Sequence, residues 1–259
     1  MTDRVQSSLS QPAADSSSPD ETISCADAKL PAVTSKGFDP RLMAWLSPAF
    51  PVGAFAYSHG LEWAVERGWV RDLATLTEWL RDLVMHGAIR NDMILLAETS
   101  RATARGDWLR VAEINALALA LQPSAERHLE TVTQGNAFLE TVRAAWSGGS
   151  LKDVAHALSP DVAYPVAVGA TTAAHGLQLA ETLNAFGLAA ASNLTSAAIR
   201  LSAVGQTDAQ RTIAALLPDL AACATSAERS TLDDLGGAAY RSDIASLAHE
   251  TQYTRLFRS

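Results

Sequence analysis

The sequence predicts an all-α fold, a helical bundle of about ten helices in a single domain, and three observations carry that expectation. Apolar residues make up 48% of the 259 residues, with Ala and Leu dominant and aromatics only 6%, a composition that favours helix over sheet. From Phe38 onward apolar residues recur at helical spacing almost throughout. No alternating β pattern of useful length and no internal repeat interrupts that spacing.

The helices follow from local signals. Residues 1–36 come first and read as a disordered tail rich in Ser and Pro, among them Ser16, Ser17, Ser18, Pro12, Pro19 and Pro31, which cannot bury enough surface to offset its ordering entropy. The helical domain spans 37–259. Arg41 to Leu46 forms a short helix, stopped by Pro48 and Pro51. Ser58 can cap a second helix with Glu62 near its positive end, and Gly68 can supply the left-handed terminus before Trp69. Thr75 with Glu78 fits a capping box, after which Leu76, Leu80, Leu83 and Val84 keep to one face. Further helices are expected over 91–104, 107–121, 124–146 and 151–158. Pro165 opens another that runs to about Gly176. A long Ala-rich helix spans about 177–203, with Gly187 as a point of interruption. Thr207 with Gln210 makes a second capping box for a helix stopped before Pro218. Residues 224–239, with Gly236 and Gly237, read as a flexible link into a last helix over about 242–251, so that about 228–259 is a flexible C-terminal arm.

Composition excludes several classes of function. Net charge is −8, and only Lys29, Lys36 and Lys152 are lysines; nucleic-acid binding needs a basic face to neutralise phosphates. Cys25 and Cys223 are far apart, which is no disulfide framework and fits a reducing cytosol. No run approaches the roughly 18 apolar residues of a membrane span, and no basic-then-apolar leader opens the chain. The expectation is a soluble, cytoplasmic protein that engages neither membrane nor nucleic acid. A phosphate loop, a dinucleotide fingerprint, a zincin helix and a nucleophile elbow are all missing. The six histidines are scattered, with no pair at metal-ligand spacing. His249 and Glu250 are adjacent, but neighbours on a helix point about 100° apart and do not clamp one ion. The residues therefore point away from an enzyme and away from a directly bound cofactor or metal.

Three segments stand out instead. Residues 47–62 contain Pro48, Pro51, Phe55, Tyr57, Ser58 and Glu62 in a stretch that Gly53 and the prolines keep from being helical. Loops normally face water, so this apolar one is either tucked beneath neighbouring helices or forms a partner-binding surface or cavity wall, with Tyr57 and Glu62 as its polar edge. In the second segment Asn193, Ala197 and Arg200 fall at i, i+4 and i+7 and share a small, polar face. That face leads to a turn at Gln206. Arg200 is either bridged to a carboxylate within a helix pair or anchors a contact with another subunit or partner. The third segment places Tyr253, Leu256 and Phe257 among Arg255 and Arg258, the anchors of a docking peptide unless the arm folds back on its own core.

At these segments the chain resembles the UreF family of urease accessory proteins. The resemblance is carried by SPAFPVGAFAYSHGLEWAVERGWV (47–70), AAIRLSAVGQTDAQR (197–211) and DIASLAHETQYTRLFRS (243–259), in that order along most of the chain after the tail. Ala54, Ala56 and His59 stand where the family often has Gly, Ser and Gln. The resemblance implies an all-α homodimer that is not itself an enzyme. It implies a scaffold that bridges UreD (also called UreH) and the GTPase UreG on apo-urease for GTP-dependent nickel insertion, with nickel and GTP handled by the partners. By position it assigns Tyr253, Arg255, Leu256 and Phe257 to UreD, and Asn193, Arg200 and Gln206 to a dimer face on the UreG side. Two alternatives stay open: a regulator that activates UreG's GTPase with Arg200 as a finger, or a stand-alone helical nickel-binding protein.

Overall fold

Helix α4 (Ala88–Ala104) runs through the middle of the structure, and the other elements are laid around it. The computed structural model describes residues 38–146, 148, 150–158 and 160–259; the expected tail over 1–36 and Cys25 lie outside them. Among the described residues there are eleven α-helices and no strand, so the all-α expectation holds. Before α4 come α1 (Pro40–Trp45), α2 (Leu61–Glu66) and α3 (Leu73–His86). After it come α5 (Trp108–Ala120), α6 (Ala125–Ala145), α7 (Leu151–Ala157), α8 (Tyr164–Ala174), α9 (Leu179–Arg200), α10 (Gln206–Ala227) and α11 (Tyr240–His249). Single 3-10 turns lie at Ala54–Ala56 and Leu232–Asp234. No helix among the described residues is long and apolar enough to cross a membrane.

Five successive residues of α4, Met93 to Ala97, are buried, as are Pro165 to Thr172 of α8. A helix apolar all round belongs in the interior, and these two pack on each other more extensively than any other pair. Gly169 lets them close: a Cβ there would meet the Leu96 carbonyl oxygen at 2.5 Å. Helices α3, α9 and α10 cover one side of α4, α5 flanks it, and α6 lies on α8. Each fully buried Leu or Ile in this core contributes about 1.5–3 kcal/mol.

The helix boundaries correct four local expectations. Thr75 does not cap α3; Asp72 does, accepting from Thr75 N–H at 2.9 Å while Thr75 Oγ1 accepts from Asp72 N–H at 3.1 Å. The box is real but sits one turn earlier, because a carboxylate was available there. Thr207 does not cap α10, which begins at Gln206 after Gly205. Nor does α10 stop before Pro218; it continues to Ala227 with Pro218 inside. Pro218 and Ala214 both face solvent, so the carbonyl that Pro218 leaves without a donor is free to bind water, while buried Leu216, Leu220, Cys223 and Ala224 hold both halves against the core. Helix α9 is also unbroken at Gly187. That residue is small because Met93 of α4 and Leu220 of α10 press against it.

The stretch between α10 and α11 is pinned to its neighbours. Arg90 donates to the carbonyls of Asp234 (2.8 Å) and Gly236 (3.5 Å), and Ala238 N–H donates to His86 O at 2.8 Å. These bonds deliver α11 onto α2.

Candidate functional site

Three stretches far apart in the chain meet on one face, and they are the three that the sequence singles out. The loop after α1 exposes Pro48, Pro51 and Phe55 and then turns inward, burying Tyr57 and Ser58. The inward turn uses two successive left-handed residues, His59 (φ 55°) and Gly60 (φ 75°). Gly60 is required twice over: a Cβ would meet Ser246 N of α11 at 2.6 Å. Thus α2 starts with no side-chain cap at Gly60, and the expected cap Ser58 only accepts from Glu62 N–H at 3.3 Å.

The arm after α11 lies folded back over this loop. Leu256 N–H and Phe257 N–H donate to the two oxygens of the Glu62 carboxylate at 2.6 and 2.9 Å. Arg258 N–H donates to Ala56 O and Ser58 N–H to Ser259 O, each at 2.8 Å, and the Ser58 hydroxyl donates to that same Ser259 oxygen. Phe257 and Ser259 are buried, whereas Tyr253 projects fully into solvent and Leu256 is 64% exposed. Arg255 pairs with Glu126 at 2.6 Å.

Helix α9 closes the site from the other side. Asn193 Nδ2 donates to Ala54 O at 3.0 Å. Arg200 lies over the Phe257 ring, 4.3 Å from its centre. The internal Arg–carboxylate bridge considered for Arg200 does not form; among the described residues no carboxylate is within ion-pair distance of it. Burial against the arm lowers the pKa of its guanidinium. Gln206 is exposed in the first turn of α10.

Beneath the face lies a polar cluster that sequence reasoning missed. Arg127 and Glu130, one turn apart on α6, form a buried ion pair. Glu130 Oε1 also accepts from Gln134 Nε2 and from His59 Nε2, both at 2.8 Å, and Glu130 Oε2 accepts from the Ser259 hydroxyl at 2.9 Å. Burial alone would raise the Glu130 pKa, but Arg127, His59 and these hydrogen bonds outweigh it and hold it at about 2. Burial, reinforced by Arg127, lowers the pKa of His59, so the ring is neutral and Nε2 is the donor. Arg127 and Glu130 line a cavity of about 740 Å³ with apolar walls from Leu42, Val52 and Phe186. Asp92 stands on its floor, its pKa raised by burial to about 7.

A second set joins Glu62 and His249, which the sequence singles out separately, through Glu126. His249 is completely buried, with Nε2 3.2 Å from Glu62 Oε2 and Nδ1 2.6 Å from Glu126 Oε2. One signal was available: Glu62 is an ionisable residue in the mostly apolar helix segment LEWAVE, where a buried carboxylate needs a partner. Among the described residues no three His, Cys, Asp or Glu side chains converge as a metal would need. Cys223 is buried, and burial pushes its thiol up to about 11, which makes it unreactive.

The UreF family model matches residues 70–217, more than half of the chain. The chain belongs to the UreF family. Relatives agree over a longer stretch. A protein from Methylobacterium radiotolerans named urease accessory protein UreF is 54% identical over 219 residues, covering 85% of this chain and 96% of its own. One of the same name from Xanthobacter autotrophicus is 56% identical over 218 residues, covering 84% and 90%. Another from Azorhizobium caulinodans is 53% identical over 218 residues, covering 84% and 94%.

Proposed function

We propose that this protein is a urease maturation factor that works as a non-catalytic, homodimeric scaffold, bridging UreD and UreG on apo-urease during GTP-dependent nickel insertion. Family membership and the shared name of its relatives support the maturation role. The observation that carries the scaffold reading is the convergence of loop 47–62, the Arg200 end of α9 and the arm 252–259 on one face. Around that face Tyr253, Leu256 and Phe55 are exposed, and aromatic and apolar anchors beside arginines are what protein interfaces use for affinity. Tyr253 and Leu256 are the proposed contacts for UreD, with Arg255 at their edge. Phe257 supports them from below. Nickel and GTP remain with the partners.

Co-expression with UreD tests the reading. Tyr253→Ala with Leu256→Ala, two solvent-facing changes that leave the core alone, is expected to abolish capture of UreD while the protein stays folded. Undiminished capture overturns the assignment of the arm.

A further inference from the structure

We propose that Arg67, Trp63, Trp69 and Arg241 form a docking surface for an acidic segment of a partner protein. The stack is built where α2 meets α3. Gly68, at φ 72°, follows the end of α2 and turns the chain back: Gly68 N–H donates to Val65 O at 2.9 Å and Trp69 N–H to Ala64 O at 2.8 Å. Beyond that turn Trp69 packs edge to face on Trp63, with ring centres 4.9 Å apart. Arg67 lies over Trp63, its guanidinium carbon 5.3 Å from the ring centre. Arg241, in the first turn of α11, lies over Trp69 at 5.3 Å and over Trp79 of α3 at 5.8 Å. Two guanidinium groups are thus seated on a joined pair of indoles.

Both arginines are exposed, and among the described residues neither has a carboxylate within ion-pair distance or donates a side-chain hydrogen bond. Exposed arginines elsewhere on the surface are matched one turn away, Arg110 by Glu113 at 3.0 Å and Arg211 by Asp208 at 2.8 Å. Carboxylates close in sequence to the stack are engaged: Glu66 accepts from Gln252 Nε2 at 2.6 Å, and Asp72 from Thr75 N–H at 2.9 Å. Seating on an indole orders a guanidinium but uses none of its five N–H donors, so both forks are pre-organised and free. Such a fork takes a carboxylate through two parallel bonds. The chain carries a net charge of −8, so an acidic segment is held by contact at these forks and not by long-range attraction. A single small anion would engage one fork and leave the half-buried indoles uncovered. A run of acidic residues reaches both forks and lays its aliphatic stems on Trp63 and Trp69, and tryptophan with arginine is the pairing that anchors protein interfaces.

This surface shares no residue with the arm contacts assigned to UreD, and its test contains no UreD, so the two readings stand or fall separately. The full chain is titrated with a fluorescein-labelled octaglutamate peptide, followed by anisotropy, and with the unlabelled peptide while the indole N–H signals are followed by NMR. Octaglutamate is expected to bind and to shift the Trp63 and Trp69 signals, while those of Trp108 and Trp146 stay in place. Arg67→Lys and Arg241→Lys keep the charge but lose the planar fork, and each is expected to weaken binding at least about fivefold, the effect of one lost charge-assisted hydrogen bond. Arg110→Lys, outside the stack, is expected to bind as the wild type does. Absence of binding overturns the surface, as does binding that both lysine variants leave unchanged. Peptide-induced shifts confined to other indoles overturn it without any variant. Tighter binding of inorganic pyrophosphate than of octaglutamate gives the site to a phosphate ligand and overturns the protein segment.

Discussion

Arg200 lies face-on to Phe257, its guanidinium carbon 4.3 Å from the ring centre, and this contact ties α9 to the arm across 57 residues of sequence. The ring is buried and the guanidinium is exposed on its outer side. Phe257→Ala is expected to cost about 3–4 kcal/mol by urea unfolding, the cost of emptying a buried aromatic site. Arg200→Ala should cost no more than about 1 kcal/mol, the range of a half-solvated cation–π contact. A double-mutant cycle should give a coupling of about 0.5–1 kcal/mol; zero coupling would mean the stacking is incidental. If Arg200 acts on UreG's nucleotide, Arg200→Ala should lower GTP turnover with UreG binding retained.

The turn at Gly60 gives a second prediction. Gly60→Ala puts a Cβ 2.6 Å from Ser246 N and 2.8 Å from Ala245 C, on a backbone with φ of 75°. The atoms it meets are all backbone of α11, with no soft side chain to give way, so α11 must move. A loss of at least about 2 kcal/mol is expected, read as a lowered Tm, together with faster exchange in α11 than in α8.

Asp92 makes stability depend on pH in a stated direction. Its pKa is raised by burial from 3.8 to about 7, so between those values the folded chain binds more protons than the unfolded one. Stability therefore falls as pH rises through that window. Asp92→Asn removes the dependence and is expected to gain about 1–3 kcal/mol at pH 8, with little change at pH 4. Urea titrations of both proteins at the two pH values decide it.

Glu130 runs the other way. Its pKa is held at about 2, below the ordinary 4.5, so it stabilises the fold above the ordinary value and loses that contribution as pH falls through 2. Arg127→Met strands this buried carboxylate and is expected to cost about 3–5 kcal/mol at pH 7. The double variant Arg127→Met with Glu130→Leu should recover most of the loss, since neither charge then remains unpaired.

Most of the helical framework was legible from spacing and caps, because a helix declares itself within one or two turns. Pro165 at the start of α8 and the apolar stripe of α3 are examples. Pro218 misled because a proline's effect depends on whether its freed carbonyl faces water, which is a property of packing. The three segments of the site were legible for a similar local reason: apolar or arginine-rich stretches in loops and at a helix end are out of keeping with their surroundings. Their convergence was not legible, since it depends on α2 and α11 crossing at Gly60. The Arg127–Glu130–His59 cluster stayed hidden because an i,i+3 pair on a helix reads the same whether it lies in solvent or in the core. One of its partners, Ser259, lies 129 residues from Glu130 in the sequence.

The hydrogen bond from Ser58 to Ser259 joins residues 201 apart. Proteins are synthesised at about 5–20 residues per second, so roughly 10–40 s separate the emergence of its two halves. Throughout that interval Ser58 N–H and Ala56 O lack their partners in the arm, and Glu62 has neither His249 nor the arm amides to receive. The helices from α3 to α10 can pack around α4 in the meantime, since their contacts with one another do not involve the arm. The face that joins loop, α9 and arm consequently closes only after α3 to α10 have been made, and until then it is open to a chaperone, a protease or a waiting partner.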